Sequence, residues 1–183
     1  MVRVLAMFAA AAALSTAGNA AERPITYDCD SAPGHFSELV LPAPSVAFTV
    51  TGNVTVNAIA ADKKWAPGAR LLISPPSTSP GDNPEARAGV SLTALPGKSV
   101  GAKQQVVQYL SFTANGHEDE IIAFSFKAPG APQPFSLSYD GKSVVVAVDG
   151  ETRAYPLVTS EPVVRIVCST GEFLFTDLRI KAR

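Results

Sequence analysis

The chain of 183 residues has two cysteines, two histidines, one tryptophan and no dominant charge, and each shortage removes a class of function. Cys29 and Cys168 do not form a Cys-x-x-Cys pair and have no histidine beside them, which argues against a redox or metal-binding pair. A metal centre needs three or four convergent ligands, and His35 and His117 are far apart in sequence. Neither Gly-x-Ser-x-Gly nor a serine with a base at an informative spacing occurs, so nucleophilic catalysis has no support. With 15 basic and 16 acidic residues and no basic stripe, nucleic acid and anionic membrane surfaces are poor partners. No apolar run approaches the roughly 18 residues of a membrane span, and no repeat of fixed period appears.

What is present begins with a leader. Arg3, the apolar run 4–14, and the small residues Gly18 and Ala20 have the three-part order of an export signal, which predicts cleavage after Ala20. Residues 21–183 are then read as one soluble β-sandwich domain with no second anchor, in the periplasm or the medium. Cys29 lies too far along to be a lipoprotein cysteine. Export places the two thiols where disulfides persist, and a count of two allows one intrachain bond. Such a bond closes a loop of 139 residues. The chain-entropy model assigns it roughly 4–5 kcal/mol. It would staple the first element of the fold to the last, with Cys168 expected just before the final strand.

Along residues 21–183 the apolar period is two, and the punctuation is Gly, Pro and Asp. Phe48, Val50, Val54, Val56 and Ala58 alternate with Thr49, Thr51, Thr55 and Asn57, with Gly52-Asn53 expected as a bulge or tight turn between two halves. Further strands are expected at 36–41, 70–74, 89–94, 106–114, 120–127, 135–139, 143–148, 152–157, 163–168 and 172–181. Asp140-Gly141 and Asp149-Gly150 suit type I′ hairpin turns and make a three-strand meander. Asn115-Gly116 plays the same part, although His117-Glu118-Asp119 suggests a longer loop. Roughly ten short strands without a helix imply antiparallel sheets packed face to face.

The Pro-rich stretch 74–84 cannot pair in a sheet, because proline lacks the amide hydrogen, and is expected to be a long surface loop. Asp82, Asn83 and Glu85 supply oxygens there that make a weak calcium candidate, but the spacing is not that of an EF-hand and Pro84 restricts the backbone. A polar loop tip is the favoured reading, and no cofactor is called for. The shorter connection 128–134 reads as a crossover between sheets.

The segments Phe36-Ser37-Glu38-Leu39, Phe48-Thr49-Val50-Thr51-Gly52, Tyr139-Asp140-Gly141-Lys142 leading into Asp149-Gly150, and Phe173-Leu174-Phe175-Thr176-Asp177-Leu178-Arg179-Ile180 together resemble the concanavalin A-like lectin and glucanase jelly roll, which includes laminin-G-like domains. The resemblance implies an all-β, antiparallel two-sheet sandwich with its first and last strands adjacent. It also implies glycan binding or cleavage on the concave sheet. Hydrolases of that kind carry acids alternating along one strand, about 5 Å apart across the scissile bond. Here Glu118, Asp119 and Glu120 are consecutive: Glu118 and Glu120 could share a face, but a solvated hairpin loop is the favoured reading.

Aromatic rings are the usual sugar platforms. Trp65, within Asp62-Lys63-Lys64-Trp65-Ala66-Pro67-Gly68, either stands exposed as a platform or caps one end of the core, and the cap is favoured. Tyr109 and Phe112 are out of phase on their strand, so one faces away from the core and offers a second platform. The chain is therefore read as an exported, non-catalytic binding protein for a glycan or an envelope-associated partner. A glycoside hydrolase or lyase, and an envelope protein-interaction module, stand as alternatives.

Overall fold

Period-two alternation gives each strand one apolar side, and the fold turns these sides toward a single interior. The computed structural model describes residues 23–60, 62, 64–77, 79, 84–96, 106–127 and 130–183, with 96, 106–109 and 117–127 described by their backbone. These form ten strands: β1 (Ile25–Pro42), β2 (Phe48–Ile59), β3 (Gly68–Ser74), β4 (Ala88–Pro96), β5 (Val106–Ala114), β6 (His117–Lys127), β7 (Gln133–Tyr139), β8 (Ser143–Val148), β9 (Glu151–Pro156) and β10 (Val163–Ala182). All pairings are antiparallel.

The hydrogen-bonded order runs β6-β5-β4-β3-β10-β2-β7-β8-β9, with β1 beside β10. This continuous path is two layers, because β1 and β10 each serve both. Residues 163–169 of β10 pair with β3 and with 36–42 of β1, whereas 171–182 pair with β2 and residues 171–178 pair with 25–31 of β1. The first layer is thus β6-β5-β4-β3-β10-β1, and the second is β1-β10-β2-β7-β8-β9. Both shared strands break register at the change of layer: residues 32–35 leave the ladder on β1, and Thr170 takes φ 57° on β10. A β-branched residue rarely adopts that conformation. Gly171 follows because a Cβ there would press on the Ala58 carbonyl at 2.7 Å.

The interior holds Val50, Val54, Val56, Leu137, Val144, Val146, Phe173 and Phe175 from one layer against Ala69, Leu71, Ile73, Val90, Leu92, Leu110, Phe112 and Ile166 from the other. Full burial of each large apolar side chain contributes about 1.5–3 kcal/mol. Rings cross between the layers: Phe112 of β5 lies 6.0 Å from Tyr155 of β9, and the Arg153 guanidinium sits 5.6 Å from the Phe112 centroid.

The predicted two-sheet antiparallel sandwich is found, and several boundaries move. The first strand starts at Ile25, not 36, so Cys29 lies within a ladder. The expected strands 163–168 and 172–181 are one, since Thr170 and Gly171 bend the chain without ending it, and Cys168 is inside the last strand rather than before it. Gly52-Asn53 makes no turn: β2 runs unbroken, and the irregularity falls on β10 between Thr176 and Arg179, where Asp177 has φ 52°. Gly52 serves close packing instead, for a Cβ would meet the Phe135 ring at 2.8 Å.

Asp149-Gly150 and Asn115-Gly116 are two-residue turns with φ positive at both positions. The surplus around 117–119 is taken up by register shifts along β5–β6 instead of a longer loop. Asp140-Gly141 departs from type I′. Only Gly141 has positive φ, and the Asp140 carboxylate closes a wider turn by accepting the amides of Lys142 at 2.9 Å and Ser143 at 2.7 Å. The connection after β6 does pass between layers, as read. Residues 1–22, where the leader is expected, and Asp82 and Asn83 fall outside the described residues. Among the described residues no helix is long and apolar enough to cross a membrane.

Candidate functional site

The site forms where the chain changes layers. On β1, Pro33 has no amide to give to a ladder and Gly34 takes φ 74°, so residues 32–35 bow outward. The Gly34 amide donates to the Thr170 hydroxyl at 3.4 Å, and the Thr170 carbonyl accepts the Ala60 amide at 3.2 Å. Thr170 is fully buried and so fastens two segments from its strained conformation. His35 and Phe36 are thereby presented at the surface. Phe36 pairs opposite Ser169 and is 53 % exposed.

The connection from β2 to β3 arrives at the same place. Strand β2 ends opposite Gly171 and β3 begins opposite Ser169, so the segment between them rounds the end of the sandwich. The Asp62 carboxylate accepts the amides of Lys64 and Trp65, both at 2.7 Å, and these bonds hold its pKa below the ordinary carboxylate value. This turn sets out Trp65, whose ring is 53 % exposed with the Lys64 ammonium 5.5 Å from its centroid. The expectation that Trp65 caps the core is corrected. Its flanking turn lies outside the strand ladder and points it away from the interior.

Between these walls lies a cleft of about 460 Å³, floored by outward positions of the first layer: Arg70 of β3, Ser91 and Thr93 of β4, Val167 and Ser169 of β10. Arg70 pairs opposite both Val167 and Ser91, which places it mid-floor. The Ser91 hydroxyl shares a 2.6 Å hydrogen bond with the Thr113 hydroxyl. Cys168 borders the cleft from beneath, bonded to Cys29.

Two further arginines, Arg165 and Arg87, are buried in this layer, and the charges of Arg70 and Arg165 both act on Arg87. Arg165 is buried and donates from Nε to Glu38 Oε1 at 2.8 Å, with a second, shorter contact from Nη2. Arg87, also buried, donates from Nη1 to the Pro84 carbonyl at 2.7 Å. Burial lowers the Arg87 pKa, with further lowering from Arg70 and Arg165. Among the described residues no aspartate or glutamate lines the cleft, and none forms an ion pair with Arg70.

Of the residues singled out in the sequence, Trp65 is in this cleft. Tyr109 stands on β5 opposite Thr93, one strand beyond the floor, and Phe112 lies in the core. Glu118 pairs opposite Thr113, near the far turn of the same hairpin, and a register shift separates it from Ile121, with Glu120 between. The structure therefore does not bring the acidic trio to Trp65. Glu85 is exposed, and no cluster of three metal-ligating side chains occurs among the described residues. The sequence reading does not single out Phe36 or Arg70 as site residues, and weighs His35 only as a metal ligand. The one available signal was a lone charge, Arg70, in the otherwise apolar run Ala69-Arg70-Leu71-Leu72-Ile73.

The sequence matches no protein-family model and none of the curated proteins. Solved structures do match. The exoplasmic/lumenal domain of VIP36 in its Ca2+/Man-bound form aligns at TM-score 0.54 with 12 % identity, covering 88 % of this chain and 84 % of that one. Its Ca2+/Man2-bound form aligns at 0.52 with 10 % identity, covering 86 % and 81 %. The marine PL7 alginate lyase AlyA1 from Zobellia galactanivorans aligns at 0.49 with 13 % identity, covering 79 % of this chain and 65 % of that one. The fold is the concanavalin A-like jelly roll.

Proposed function

We propose that the protein is an exported, non-catalytic binding protein whose cleft between Trp65 and Phe36 holds a glycan. The carrying observation is two half-exposed aromatic rings flanking a floor of hydroxyl groups. Rings offer flat apolar faces to the carbon face of a sugar, and hydroxyls exchange hydrogen bonds with its edges. The shared fold does not itself assign a ligand, since one fold serves many functions. That VIP36 is described in a Ca2+/Man-bound form is compatible with this reading, and the cleft is what argues for it.

Catalysis by a carboxylate pair finds no support in this cleft, where no acid lies among the described residues. Export to the periplasm or medium fits the leader-like start and the Cys29–Cys168 bond, which persists in oxidising compartments. A glycan array probed with the protein, with and without calcium, tests the reading. Binding that disappears in Trp65→Ala supports it. Silence across a broad array, or binding indifferent to Trp65, removes it.

A further inference from the structure

We infer that the cleft takes an acidic saccharide, one carrying a carboxylate or a sulfate, with Arg70 as the residue that receives the anion. This rests on the reading of the cleft as a glycan site and names the class of sugar. Arg70 sits mid-floor between Ser91 and Val167, and no hydrogen bond or ion pair joins it to another described residue. Arg70 is half-buried, and its charge acts on the buried Arg87, so an anion bound at Arg70 would offset a repulsion between the two. The neighbouring Arg165 has Glu38 against it. No acid among the described residues does the same for Arg70; the Asp62 carboxylate stands at the wall, beside Gly34 and Trp65, so the Arg70 charge on the floor is left for an incoming anion to neutralise.

The fork of guanidinium donors matches two oxygens of a carboxylate or a sulfate, and such charge-assisted bonds are about twice as strong as neutral ones. Trp65 and Phe36 would take the ring carbons, and Ser91, Thr93 and Ser169 the sugar hydroxyls. A neutral sugar covers the Arg70 charge without neutralising it. Specificity for acid over neutral sugars follows from that difference, because a charged group buried beneath a ligand without compensation costs affinity.

The test compares trisaccharides of galacturonic, glucuronic and mannuronic acid with their carboxyl-reduced neutral counterparts, alongside a sulfated and an unsulfated galactotriose, by titration calorimetry. At least one acidic member should bind roughly tenfold or more tighter than its neutral counterpart. That margin should shrink as salt rises from about 0.05 M to 0.5 M. Arg70→Gln should erase the margin, and Arg70→Lys should keep part of it, because the charge remains while the fork is lost. Thermal unfolding of both variants confirms that they fold. The uronate and sulfate arms tell the two anions apart. Neutral sugars bound through Trp65 with no acidic preference would end the inference and leave the glycan reading standing. An acidic margin unchanged in Arg70→Gln would also end it, and binding of none of the sugars would end both.

Discussion

Cys29 and Cys168 are bonded across the interior, one in each layer, beside the point where β1 and β10 pass from one layer to the other. Both are buried in the core, with Cα atoms 6.2 Å apart. The bond therefore joins the two sheets and also backs the cleft, since Cys168 lies between the floor residues Val167 and Ser169.

Its removal should reach both stability and binding. Cys29→Ser with Cys168→Ser is expected to lose about 2–5 kcal/mol, read from urea unfolding. Cleft affinity should fall in the variant even where it remains folded. An unchanged unfolding midpoint would show that the layers are held without the sulfur bridge.

Trp65→Ala should leave stability within about 0.5 kcal/mol, because the ring is outside the core. Affinity for any glycan bound should drop about tenfold or more. A large loss of thermal stability would mean that the ring supports the fold rather than the ligand.

Glu38 is the acid set against the buried Arg165, with side chains 10 % and 1 % exposed. Glu38→Gln removes the carboxylate charge set against that buried guanidinium and should cost about 3–5 kcal/mol. Glu38→Leu with Arg165→Met, which removes both charges, should recover much of the loss. Chemical denaturation of the three proteins decides this, and equal stability of Glu38→Gln and wild type would contradict it.

Asp62 and Asp140 each accept two backbone amides, which lower their pKa values in the folded chain. A carboxylate with a depressed folded pKa stabilises the fold above its unfolded value, and that contribution is lost as pH falls through the folded one. Thermal unfolding between pH 6 and pH 2, values spanning the carboxylate range of about 4, should show a loss in wild type that Asp140→Asn flattens in part. Parallel curves for the two proteins would exclude the turn as a source. The same acidification through Asp62 should loosen the turn presenting Trp65, measurable as a change in indole fluorescence.

Much of the architecture was legible because it depends on neighbours in sequence. Residues 48–58 alternate with period two, so their apolar members had to face one interior. Asp149-Gly150 and Asn115-Gly116 tolerate positive φ, so hairpins formed there. Asp140-Gly141 was misread because a capping carboxylate, unseen in a dipeptide rule, selects a different turn. The join at Thr170 was invisible because a buried β-branched residue at φ 57° contradicts its local preference and is held by the Gly34 amide, 136 residues away in sequence.

By itself the sequence determined the class of fold, an antiparallel β-sandwich, and the identity of the only possible disulfide. Periodicity and a count of two suffice for those. Only the tertiary structure decided the cleft, which gathers residues near positions 35, 65, 70, 92 and 168. Alternation says which residues of one strand share a face, but not which strands lie side by side. That β3 sits against β10, and that β1 and β10 each serve two layers, follows from packing the whole chain at once.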